Sequence, residues 1–359
     1  MPSVTGPGAI QLTGVGQHEP LQNVSNILIT GGAGFIGSWL TRHLVAQYSH
    51  AYTVICLDRL DTVASLNNIK SLFSAPNFRF VPGNINDTRK VQSILDTYKI
   101  DCVIHFAASS HVQKSFVDPF IFTYDNVVGT HSLLEAMRRH QRITRFIHVS
   151  TDEVYGETND HKVDEHGHFG PTNPYSASKA AAEMYVMAYR QSFGLPAIVV
   201  RSNNVYGPCQ YPEKIIPTFT SLLIAGEKLT IQGDGLHTRC YLHGSDAADA
   251  FDTILHKGQI GETYNIESDY EVSNREVAAR MLGLFGHDAV HDFDDYVQWI
   301  ANRPFNDSCY RVDGSKLKQL GWRQRVDFPS GLAQTVEWYK GNVDTWWKKP
   351  AGHATTFQI

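Results

Sequence analysis

The chain has 359 residues, 42% of them hydrophobic, with 31 Lys and Arg against 36 Asp and Glu for a formal net charge of −5. That balance excludes a largely disordered chain and leaves no basic excess for nucleic acid or an anionic membrane. No apolar run reaches the roughly 18 residues of a membrane span, and Met1 to Asn26 lacks the basic start and apolar core of a secretory signal.

Residues 1–24 are rich in Gly, Pro, Ser and Gln, show no periodicity and read as a flexible extension. A regular alternation begins at Asn26. Apolar, β-branched runs at Ile27–Thr30, Thr53–Asp58, Phe78–Val81, Cys102–Ala107, Arg145–Thr151 and Ala197–Ser202 predict strands. Between them, helices are predicted near Phe35–Tyr48, Asp87–Tyr98, Asn126–His140 and Tyr175–Phe193. Short, continuously apolar strands alternating with helices predict an α/β fold, a doubly wound parallel sheet covered on both faces. Beyond Val205, prolines 208, 212 and 217 and the Gly233-Asp234-Gly235 turn loosen the pattern, with helices near Ile216–Ala225, Ser245–His256 and Asn274–Phe285. Residues 25–204 therefore read as a dinucleotide-binding domain. Residues 205–345 read as mainly a smaller α/β substrate domain that returns to the sheet at least once.

Five dispersed cysteines, Cys56, Cys102, Cys209, Cys240 and Cys309, form no CxxC pair. They read as reduced, buried thiols of a cytoplasmic protein, with neither a disulfide framework nor a zinc site. His161, His166 and His168 lie in a polar stretch and read as a solvated loop; no metal is expected.

The first strand runs into Gly31-Gly32-Ala33-Gly34-Phe35-Ile36-Gly37 and then a helix. Gly31 permits the tight turn, Gly34 a close backbone approach to a pyrophosphate, and Gly37 close helix–strand packing. Asp58 ends the second strand about twenty residues later, where a carboxylate accepts from ribose hydroxyls and repels a 2′-phosphate. The expected cofactor is NAD, although the adjacent Arg59 leaves a route to a 2′-phosphate open. Asn84 and Ile85 after the third strand fall beside the adenine. Phe106, Ala107 and Ala108 end the fourth, where small residues let a cofactor lie against the sheet edge.

Tyr175 and Lys179 form a YxxxK pair on one helix face, and a nearby ammonium is expected to lower the phenol pKa. Ser150-Thr151-Asp152-Glu153 lies at the carboxyl end of the fifth strand, where open α/β sheets bind ligands. Two consecutive carboxylates raise the cost of ionising each other, which favours one acid beside one base.

Together with Arg201 to Pro208, Tyr211-Pro212-Glu213-Lys214 and Asn302 to Asp307, these motifs resemble the extended short-chain dehydrogenase/reductases and, within them, the nucleotide-sugar 4,6-dehydratases. The resemblance runs from about Asn26 to Tyr339. Val149 to Thr158 and Pro171 to Ser176 look like the N-terminal dehydratase domain of plant-type UDP-rhamnose synthases. Phe305-Asn306 after the Arg-Pro pair, where the dTDP-glucose branch usually has Gly-His, tilts toward UDP-glucose. The resemblance implies Tyr175 as base at O4, Thr151 holding O4, Lys179 steadying Tyr175 and the nicotinamide ribose, Glu153 as base at C5 and Asp152 as acid at the C6 hydroxyl. It implies Ser110, Tyr175 and Lys179 at the cofactor, and His111, Asn204, Lys214, Arg239 and Arg303 at the sugar nucleotide. It also implies a homodimer through helices near Asp118–Arg138 and Tyr175–Gln191. Two positions depart from the family pattern: Asn84 stands for an aspartate, and Gln113 for the aspartate of His-Val-Asp. No second glycine loop follows, so 3,5-epimerase and 4-reductase steps are expected from a separate protein. A 4-epimerase or decarboxylase on the same scaffold, or a non-catalytic NAD sensor, would keep the glycine loop without needing the Asp152/Glu153 pair.

Overall fold

The computed structural model describes residues 12–158 and 161–347. Seven parallel strands form one sheet: β1 (Asn26–Thr30), β2 (Thr53–Asp58), β3 (Phe78–Pro82), β4 (Cys102–His105), β5 (Arg145–Val149), β6 (Ala197–Ser202) and β10 (Thr263–Ile266). Their spatial order is β10-β6-β5-β4-β1-β2-β3. The chain leaves β1 toward β2 on one side and reaches β4 on the other, so the strand order reverses beside β1. A crevice at the carboxyl ends follows from that topology.

Alternation along each strand sorts its side chains between two cores. Ile27 and Ile29 pack with Leu40, Leu44, Phe251 and Ile254, from helices Phe35–Gln47 and Gly244–Lys257. Leu28 and Ile55 face the other side, against Val91, Leu133 and Val186 of helices Thr88–Thr97, Gly129–His140 and Pro174–Phe193. Burial on both faces is why these strands read as unbroken apolar runs.

The smaller lobe holds β7 (Asn204–Tyr206), β8 (Leu229–Gln232), β9 (Thr238–His243), β11 (Glu271–Ser273) and β12 (Val297–Ile300). β9 lies between β11 and β7, and β8 pairs with β12. Helices Ile215–Ile224 and Asn274–Leu284 close over them around Phe219, Met281 and Phe328. The lobe returns to the main sheet through β10.

Two terminal segments differ from expectation. Residues 1–11 of the expected flexible extension lie outside the described residues. Residues 12–24, by contrast, are strapped down. Asp249 Oδ1 accepts the Val15 and Gly16 N–H groups at 2.8 and 2.7 Å, Tyr48 and Tyr52 hydroxyls accept from His18 and Leu21, and the Arg42 guanidinium donates to the Leu12 carbonyl. A polar, aperiodic strand of chain is ordered here by distant side chains that satisfy its backbone.

At the other end, Asp327 caps a helix, Phe328–Trp346, with proline in its first turn. Its Trp338 and Tyr339, with Trp347 just beyond, pack with Cys209, Leu12, Phe35 and Tyr211. The Trp346 carbonyl accepts from Ser65 Oγ at 2.8 Å and Asn67 Nδ2 at 2.7 Å, and Trp346 Nε1 donates to Asn68 Oδ1 at 2.6 Å. This helix thus grips the segment after β2. Among the described residues no helix is long and apolar enough to cross a membrane, and the five cysteines are buried and form no disulfide.

Candidate active site

One cavity of about 490 Å³ opens along the carboxyl ends of the strands, and both halves of the expected site line it. Its size suits a small-molecule site. At the nucleotide end lie Gly31, Gly34, Phe35, Ile36, Gly37, Asp58, Asn84, Ile85, Phe106, Ala107, Ala108 and Ser110. Gly31 sits at φ +70°, and a Cβ there would stand 2.7 Å from the Ala107 nitrogen. A Cβ on Gly37 would stand 2.4 Å from the Gly31 carbonyl oxygen. Only glycine lets the turn and the helix start coexist at that separation.

Asp58 is buried, which raises its carboxyl pKa, while its oxygens accept from Leu60 and Ala33 N–H groups at 2.8 and 3.0 Å. Arg59 is spoken for: it donates to both oxygens of Asp125 at 2.7 and 2.8 Å and to Asp61 at 2.7 Å. A guanidinium held between two carboxylates is not free for a 2′-phosphate, so the arrangement fits NAD. Asn84 spends its Oδ1 on the Asn86 N–H at 3.0 Å.

At the other end, Thr151 caps a single turn, Asp152–Tyr155, by accepting the Glu153 N–H at 3.3 Å. That turn presents Asp152 and Glu153 to the same cavity as Tyr175 and Lys179. Asp152 is buried; Thr151 Oγ1 donates to its Oδ1 at 3.1 Å and Asn203 Nδ2 to its Oδ2 at 2.7 Å. Burial, then the Glu153 charge, push the Asp152 carboxyl up to about 7, against those two hydrogen bonds. Asn173 Nδ2 donates to Glu153 Oε2 at 3.1 Å.

The phenol behaves otherwise than the YxxxK spacing suggested. Lys179 Nζ donates to the Val149 carbonyl at 2.7 Å, and burial lowers its pKa to about 8 against the opposing charge of Glu183. Burial raises the Tyr175 pKa instead of lowering it, and the Glu153 and Asp152 charges add to the rise. Spacing shows which face two residues share, but not that two carboxylates stand opposite.

Of the residues expected at the sugar nucleotide, His111, Asn204 and Lys214 line the cavity, with Lys214 Nζ donating to the Ser110 carbonyl at 2.7 Å. Burial and the Lys214 charge lower the His111 pKa to about 4, so its ring is neutral near pH 7. Arg239 and Arg303 are not among the lining residues. They share the Asn306 side-chain oxygen, and Arg239 also donates to the Asp307 carbonyl at 3.0 Å, its guanidinium 4.7 Å from the Tyr310 ring centroid. Burial and the Arg239 charge lower the Arg303 pKa, while Glu153 opposes the shift, which sets this cationic pair close to the carboxylates. The reading of the sequence missed Asn173, Asn203 and Asp125. Uncharged amides and a helix-face aspartate carry no periodic signal, although Asn173 before Pro174 is a recognisable helix start.

The GDP-mannose 4,6-dehydratase family model matches residues 28–335. A trifunctional UDP-glucose 4,6-dehydratase/3,5-epimerase/4-reductase of Arabidopsis thaliana is 48% identical over 330 residues, covering 91% of this chain and 49% of that protein. The chain therefore spans about half the length of the trifunctional relatives it matches. The dTDP-D-glucose 4,6-dehydratase of Homo sapiens is 44% identical over 321 residues, covering 89% of this chain and 91% of that one. Among solved structures, a dTDP-glucose 4,6-dehydratase from Streptomyces venezuelae with NAD bound superposes with a TM-score of 0.85 at 38% identity, covering 90% of this chain and 99% of that one.

Proposed function

The chain belongs to the GDP-mannose 4,6-dehydratase family, and on that premise we propose that it removes water from UDP-glucose, with NAD as a resident cofactor, to give UDP-4-keto-6-deoxyglucose. The observation that carries this reading is the Asp152/Glu153 pair: two adjacent carboxyls facing the cavity of Tyr175 and Lys179, one of them pushed up to about 7. A 4-epimerase or decarboxylase has no use for such a pair. UDP over dTDP is supported by Phe305-Asn306 and by the Arabidopsis relative.

NAD, when bound, supplies a reversible two-electron acceptor that makes C4 a ketone and later returns the electrons at C6. The glycine loop and Asp58 would hold it, with Phe106, Ala107, Ala108 and Ser110 also lining its seat. Tyr175 receives the O4 proton, while Thr151 orients O4 and Lys179 supports the phenol. Tyr175 must be ionised to receive that proton, and the positive charge of the resident oxidised nicotinamide, with the Lys179 ammonium, would offset the burial and the carboxylate charges that raise its pKa. The C4 ketone acidifies the C5 proton, which Glu153 removes. Asp152, which burial and the Glu153 charge favour in its protonated form, gives its proton to the departing C6 hydroxyl. His111, Asn204 and Lys214 hold the sugar nucleotide, and Arg239 and Arg303 meet its diphosphate at the rim.

We assign the chain a homodimer as well, through the exposed Val117, Phe120, Tyr124, Met184 and Phe193 on and beside the two long helices. A 3,5-epimerase/4-reductase activity would consume the product.

The test is mass spectrometry after incubating the protein with UDP-glucose and, separately, dTDP-glucose. Loss of one water from UDP-glucose is expected. Loss from dTDP-glucose alone moves the nucleotide assignment, and no loss from either removes the dehydratase reading.

A further inference from the structure

Asn173 lies at a junction between the two halves of the reaction machinery. Its Oδ1 accepts the Ser176 N–H at 2.9 Å, and its own N–H donates to Ser176 Oγ at 3.1 Å. That reciprocal capping box starts the helix carrying Tyr175 and Lys179. The cap uses only the side-chain oxygen, and serine or aspartate caps a helix about as well as asparagine. Capping therefore does not account for an amide here. The amide nitrogen goes elsewhere, to Glu153 Oε2 at 3.1 Å, from a residue only 6% exposed. A planar amide held by its oxygen at the helix start has its nitrogen fixed in direction, so the carboxylate it meets is fixed too.

The same junction is tied to the rim. Thr172 Oγ1 donates to Asp307 Oδ2 at 2.7 Å, one residue from Asn306, the oxygen shared by Arg239 and Arg303. The backbone step Thr172–Asn173 thus joins the arginine loop, the base and the start of the tyrosine helix.

We propose that Asn173 is a positioning residue for the elimination step. It ties one oxygen of Glu153 to the helix that carries Tyr175, leaves Oε1 for the C5 proton, and so keeps base and phenol in one frame. This rests on reading Glu153 as the C5 base.

Asn173→Ser keeps the cap and removes the donor. Asn173→Asp keeps the cap and sets a carboxylate against Glu153. In stopped-flow single turnovers with UDP-glucose, the rise in reduced-nicotinamide absorbance reports C4 oxidation and its decay reports water loss. Both variants are expected to hold the rise and the sugar-nucleotide KM near wild type, with melting temperatures unchanged. The decay is expected to slow about 10- to 100-fold in Asn173→Ser, the effect of one hydrogen bond to a charged group, and further in Asn173→Asp. A purely capping role predicts wild-type decay in both and overturns the proposal, as does equal slowing of rise and decay. Glu153→Gln separates the two levels. If it leaves the decay unchanged, the base assignment itself falls; if it slows the decay while Asn173→Ser does not, only the role of Asn173 falls.

Discussion

The two ends of the cavity are built on different physics. The nucleotide end is a matter of backbone: a positive φ at Gly31, carbonyls and amides packed too closely for any Cβ, and an aspartate whose oxygens face N–H groups. The reaction end is a matter of buried side chains whose charges act on one another: Asp152, Glu153, Tyr175 and Lys179. The first end should fail by steric exclusion, insensitive to pH. The second should fail by degrees and with a marked dependence on proton concentration.

The largest effect tests whether the two ends are separable. Tyr175→Phe is expected to lower kcat about 10²- to 10⁴-fold while the purified protein keeps its NAD; loss of the bound nucleotide would break the division. Gly31→Ala is expected to do the reverse. The left-handed backbone and the clash at Ala107 together cost about 2–5 kcal/mol, read as weakened nucleotide binding by titration calorimetry at every pH.

Asp152→Asn sharpens the electrostatic side. The folded carboxyl titrates near 7 against a reference of 3.8, so folding favours its protonated form. Wild-type stability should therefore fall as pH rises through that window, by on the order of a few kcal/mol. The neutral variant lacks this loss. Its melting temperature should match wild type at pH 4 and exceed it at pH 8, although water loss is slowed; parallel curves would remove the burial argument. The smallest effect lies outside both ends. Ser65→Ala deletes two hydrogen bonds, the one donated to the Trp346 carbonyl and the one accepted from the Asn67 N–H, and is expected to cost about 1–2 kcal/mol by denaturant unfolding, with kcat unchanged.

What the sequence revealed follows the same division. Strands buried on both faces have to be continuous apolar runs, and a glycine loop has to be glycine, so β1 to β6 and Gly31, Gly34 and Gly37 were legible. Asp152 and Glu153 were legible because adjacent acids at a strand end are electrostatically unusual. The strap at 12–24 was not. Its composition is that of a linker, and its partners Asp249, Tyr48 and Tyr52 come together with it only in three dimensions. The helix Phe328–Trp346 was overlooked despite its Asp327 cap and following proline. The direction of the Tyr175 shift was misjudged for a related reason. The i, i+4 ammonium is visible along the chain, whereas the burial of Tyr175 and the Glu153 and Asp152 charges near it are not.

The grip of Trp346 on Ser65, Asn67 and Asn68 has a consequence for biogenesis. Asp61 to Ala64 form part of the cavity wall, and the segment after them is held twice: by the Ala33 carbonyl of the glycine loop, which accepts from the Ser65 N–H and Asn68 Nδ2, and by Trp346. During synthesis the first hold belongs to the early βαβ unit, whereas the second requires residue 346. The wall of the cofactor seat is therefore expected to reach its full set of contacts only late in translation.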